Sequence, residues 1–161
     1  MSVNKYYPHL FVLPEDDANR QLANGFLLDQ SLVVRRIQVF EEVGGWIQVL
    51  DHFISDHVNG MDRHPGRLMA LLIDFDGRED RLVTAKDRIP EHLVDRVFIL
   101  GVLTEPERLR VDLGTTFETI GLAMAKDCRE DTFTTWGHRL LRHNAGELRR
   151  LSNSVRPWLF R

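Results

Sequence analysis

Two carboxylates one residue apart, Asp74 and Asp76, follow the most continuously apolar run of the 161-residue chain, residues 68–73. On an extended strand end such a pair lies on one side. Charges this close repel and raise one pKa, unless a cation sits between them. Oxygen-only donors suit a hard ion, Mg2+ or Mn2+, rather than zinc. No Cys/His cluster of zinc spacing occurs, and His52/His57 and His138/His143 are each five residues apart, outside the register of a helical metal site. A third carboxylate, Glu15, ends another apolar run, residues 9–13. More acids follow at Glu79, Glu105 and Glu107, each able to hold a second ion, and Arg78 stands beside the Asp pair as a bidentate phosphate donor. The chemistry these residues suggest is cation-assisted phosphoryl transfer.

Positioning such residues requires strands that end on one rim. Residues 9–13, 33–40, 68–73 and 96–103 read as strands, because each is a short apolar or β-branched run bounded by turn signals. Helical spacing separates them. Asp16 or Asp17 caps a helix from Ala18, with Leu22 and Phe26 inward. Trp46, Leu50, Phe53, Ile54, His57 and Met61 share one helix face. Thr115 with Glu118 resembles a capping box, and Pro106 suits a first helical turn. A last helix spans about 136–156, with Leu140, Leu141, Leu148, Leu151 and Val155 inward and Pro157 ending it. The alternation implies an α/β fold: a mostly parallel four-stranded sheet, helices on both faces, an extra C-terminal helix, and sites at the carboxyl ends of strands. The whole chain, 1–161, reads as a single domain with its core at about 9–128.

Hydrophobic residues make up 43% and charged residues 28%, which excludes a disordered chain. One cysteine, Cys128, cannot form an intramolecular bridge, and residues 1–8 lack an apolar signal segment; a cytoplasmic location without membrane contact is expected. Between residues 136 and 161, six arginines stand against one acid, Glu147, so this segment carries +5 and the remainder −8. Arg139, Arg142, Arg149 and Arg150 are the expected nucleic-acid-binding residues, with affinity that falls as salt rises.

The acids at these places resemble those of the TOPRIM domain, the metal-binding fold of topoisomerases, primases and OLD-family nucleases. In that family a Glu follows the first strand and an Asp-x-Asp follows the third. Glu15, in Phe11-Val12-Leu13-Pro14-Glu15, matches the first motif, and Leu71-Leu72-Ile73-Asp74-Phe75-Asp76 the second. The segment 100–109, with Glu105 and Glu107, is similar to an acidic stretch of OLD-like nucleases. Where the family carries a glycine after its Glu, this chain has Asp16. Lys86, or less well Lys126, stands for a basic residue of some relatives. The resemblance implies a Mg2+- or Mn2+-dependent nuclease with Glu15, Asp74, Asp76 and Arg78 at its centre, acting on nucleic acid, DNA ahead of RNA.

Three other readings fit parts of the pattern. A TOPRIM-like interaction subunit without catalysis would use a protein partner or a homodimer. Asp74-Phe75-Asp76-Gly77 resembles the start of haloacid-dehalogenase-like phosphatases, with Asp74 as nucleophile and Thr104 as a second motif. A receiver-like module matches Asp16-Asp17 and Asp74, but lacks the required later lysine.

Overall fold

The computed structural model describes residues 3–161; Met1 and Ser2 lie outside the described residues. The apolar run at the start forms β1 (His9–Pro14), buried along its whole length. It is followed by α1 (Asp17–Phe26), β2 (Ile37–Val39), α2 (Trp46–Asp56), α3 (Val58–Arg63) and β3 (Arg67–Leu72). Then come α4 (Arg81–Asp87), β4 (Val97–Leu100), α5 (Pro106–Leu113), α6 (Phe117–Glu130) and α7 (Ala145–Leu159). The four strands form one sheet in the order β2-β1-β3-β4, every pair parallel.

Alternate strand residues supply two cores. Leu10, Val12, Ala70, Phe98 and Leu100 pack under α1, α6 and α7. Phe11, Leu13, Met69, Leu71 and Ile99 pack under α2, α3 and α4. The expected α/β architecture, with helices on both faces and a C-terminal helix, is the one observed.

Several local expectations are corrected. The second strand is only Ile37–Val39, because Val34–Arg36 winds into a 3-10 turn that leaves the sheet. The helical pattern at 46–61 divides at His57 into α2 and α3, and Ile54 faces solvent. Thr116 rather than Thr115 caps α6, its hydroxyl accepting from the Thr119 amide at 3.2 Å. The last helix begins at Ala145, after a 3-10 turn at Arg142–Asn144, and runs through Pro157 to Leu159. A proline removes an amide donor from the helix ladder, a loss that matters less within the last turns.

Two features fix the framework. At the α1–α6 crossing, a Cβ on Gly25 would collide with the main chain of Glu118, and one on Gly121 with the Leu22 carbonyl. These helices therefore touch backbone to backbone. At the other side, β4 is an edge strand whose outward groups are taken by side chains. Glu147 accepts from the Ile99 amide at 3.0 Å, Arg150 donates to the Val97 carbonyl at 3.1 Å, and Asn144 both accepts from Gly101 N–H (3.1 Å) and donates to its carbonyl (2.9 Å).

Candidate functional site

The register of β1 and β3 pairs Pro14 with Leu72, so Glu15 and Asp74 emerge together at one carboxyl edge. Glu15 stays on the ladder, its amide donating to Leu72 O at 2.9 Å. Its carboxylate turns across and accepts the Asp74 amide at 2.5 Å. The N-cap of α2 is Gly45, which has no side chain to offer, and the Glu15 carboxylate lies near this helix start. Burial raises the Glu15 pKa, against the opposing effect of the Asp74 amide.

Asp16 caps α1, its Oδ1 accepting from the Asn19 amide at 2.9 Å. Asn19, only 1% exposed, then bridges the rim. Its Nδ2 donates to Asp16 Oδ1 at 2.9 Å and to Asp74 Oδ1 at 2.8 Å. Asp16 and Asp74 thus share one amide nitrogen. Burial above all, then the charges of Asp16 and Glu15, outweigh the Asn19 bond and push the Asp74 pKa up to about 8. Near neutral pH Asp74 thus keeps a proton.

Arg81, at the start of α4, closes the site from above. Its Nη1 donates to the Asp74 carbonyl at 2.6 Å, and its guanidinium lies 4.4 Å from the centre of the Trp46 ring. Asp76 does not join the pair. Its side chain is 84% exposed, with Oδ2 3.9 Å from Arg81 Nη2. Residues i and i+2 share a side only where the backbone stays extended. Here Asp76 enters the left-handed region at φ 54°, held by its amide on Thr104 O at 3.2 Å.

The other expected residues are spread over the rim. Arg78 is exposed and pairs with Asp80 at 3.1 Å. Glu79 is exposed in the same turn, Glu105 sits at the N-cap of α5, and Glu107 is exposed in its first turn. Among the described residues, no three His, Cys, Asp or Glu side chains are grouped so as to hold a metal ion. Arg139 is bound to Asp112 at 2.5 Å, and Arg142 and Arg149 are exposed. Arg150 is committed to the fold: it binds Glu147 and packs 4.8 Å over the Phe98 ring. Lys86 is likewise engaged, with Glu147 at 2.7 Å, and Lys126 is exposed on α6.

Sequence spacing missed Asn19, Trp46 and Arg81 as parts of the site, and gave Asp16 a capping role and a place beside Asp74 only in the receiver-like reading. The Asp16–Asn19 interval is an ordinary capping interval. That Asn19 also reaches the end of β3 is a tertiary fact with no local signal.

The donor chemistry fits a hard cation. The groups are carboxylate oxygens, and burial first, then the charges of Asp16 and Glu15, disfavour the ionised form of Asp74. As placed, these carboxylates are occupied by protein donors: Glu15 by the Asp74 amide, Asp16 and Asp74 by Asn19. Comparisons with protein families, with curated proteins and with solved structures find no match for the chain.

Proposed function

We propose that the chain is a divalent-cation-dependent phosphodiesterase acting on nucleic acid, with a rim of TOPRIM type. The observation that carries this reading is the meeting of Glu15 with Asp74, 59 residues on, at the carboxyl ends of adjacent parallel strands. The ligands in this reading are Asp74 and Asp16, with Glu15 beside them. Mg2+ or Mn2+ held there would polarise a phosphodiester and lower the pKa of a water bound to it. Asn19 orients the two carboxylates. Arg81, pinned by the Asp74 carbonyl and the Trp46 ring, fixes the turn that carries Asp76. Arg139, Arg142 and Arg149 supply phosphate affinity that weakens with salt, and Arg150 drops out of that group. Glu79, Glu105 and Glu107 stand apart from the pair, so no second ion is assigned to them.

Calorimetric titration with Mg2+ and Mn2+, paired with a cleavage assay on DNA, tests this. The wild-type chain is expected to bind the cation and to cut DNA. The double variant Asp16→Asn with Asp74→Asn should lose both, with activity down by at least about 100-fold. A wild-type chain with no carboxylate-dependent cation affinity overturns the proposal. The rim is then the hydrogen-bonded frame of a non-catalytic interaction subunit.

One observation favours a second reading. Thr104, just beyond β4, has a buried hydroxyl without a hydrogen-bond partner, and its carbonyl holds the Asp76 amide. That placement suits a phosphatase in which Asp74 is the nucleophile and Thr104 contacts the phosphoryl group. Hydrolysis of a small phosphomonoester, with DNA left intact, would select it.

A further inference from the structure

Between one face of the sheet and helices α1, α6 and α7 lies a cavity of about 80 Å³. Small residues on two opposed walls make the room: Ala23 on α1 and Ala70 on β3. Leu151, Met124 and Cys128 belong to a lining that is almost wholly apolar. Asn19 is part of the wall, but its amide nitrogen is given to Asp16 and Asp74. The Cys128 thiol is in contact with the Ser152 hydroxyl at 3.4 Å. A buried water needs two to four polar partners, and this wall does not provide them. A space of this kind favours an apolar guest over water.

We propose that this cavity is a binding site for one small apolar guest, smaller than an aromatic ring and of the size of a xenon atom or a two-carbon alkane. Its size excludes an acyl chain or a nucleobase, and its lining excludes a charged ligand. One lining residue, Asn19, also holds Asp74 through its side chain. The site therefore belongs to the back of the rim and is independent of whether the rim cuts nucleic acid.

The test uses the full chain with xenon, and ethane as a second probe, followed by methyl NMR and by thermal unfolding. Xenon is expected to shift the methyl signals of Leu151 and Met124 and to raise Tm in a concentration-dependent way. Signals at Phe53 and Met61, in the opposite core, should stay in place. Ala23→Val and Ala70→Val fill the cavity from two sides, and each should abolish these shifts. If one variant does not fold, the other serves. Absence of shifts in the wild-type chain with either probe overturns the proposal, as does unchanged binding in the filled variants.

Discussion

Asp74 is the residue at which the rim's electrostatics are decided. It is buried beside Asp16 and Glu15 and receives one donor, Asn19. An asparagine at 74 could accept from Asn19, reproducing the protonated acid without titrating. The sign of the effect follows from the raised pKa. The folded state keeps the proton from the ordinary carboxylate range up to about 8, while the unfolded chain releases it. Stability drawn from this group is therefore full at low pH and is lost as pH rises through that window. In cation-free buffer, Asp74→Asn should overtake the wild type between about pH 5 and 8, reaching an advantage of a few kcal/mol at the alkaline end. Chemical denaturation across pH reads this; a constant difference between the two proteins would contradict it. Added Mg2+ should narrow the gap by stabilising the wild type alone, if the proposed ligand set is right.

At the scale of elements, the outer edge of β4 is closed by side chains in place of another strand. Glu147 is the centre of that clasp, holding the Ile99 amide, Arg150 and Lys86. Burial works to raise its pKa, but Lys86, the Ile99 amide and Arg150 outweigh it and hold the group below the usual carboxylate range. Its contribution is present at neutral pH and is lost as pH falls through that depressed value. Glu147→Ala leaves Arg150 half-buried without its carboxylate and strips the acceptor from Ile99. It should cost about 3 kcal/mol in urea unfolding, and the freed edge should make the chain self-associate in size-exclusion chromatography. An unaltered unfolding midpoint would show that the clasp is ornamental. None of this was legible in the sequence, where Glu147 was the lone acid of a basic segment and Arg150 one of four phosphate contacts. Charge counting sees sign but not partners. The strands, in contrast, were legible, because residues 9–13 and 68–73 are apolar on both faces, as buried parallel strands must be. Residues 33–40 misled for a related reason: β-branched composition argues for extended backbone, yet only Ile37–Val39 finds a neighbour to pair with. Glu15 and Asp74 were legible as a pair because parallel register carries strand ends to one edge. Asp76 was not, because one left-handed residue ends the alternation on which its placement depended.

Across the whole molecule, the α1–α6 core holds two opposite kinds of packing. The cavity near Ala70 leaves about 80 Å³ unfilled, which at the usual penalty per unit volume costs about 2 kcal/mol. A few residues away, Gly25 and Gly121 leave no space for even a methyl group. Gly121→Ala should therefore destabilise the fold by roughly 1–3 kcal/mol although alanine is the better helix former. Guanidinium unfolding measures this, and a gain in stability would show that the helices can part without penalty. The crossing also makes α1 a lever. Its fulcrum is Gly25, and Asp16 stands nine positions away at its N-terminal end, where the chain leaves β1. With a rise of 1.5 Å per residue the arm is roughly 13 Å, so a tilt of about 5° at the fulcrum carries the tip through about 1 Å. That travel is enough to part a carboxylate from its neighbour, so the aim of the front rim is set by two hydrogen atoms at the back of the molecule.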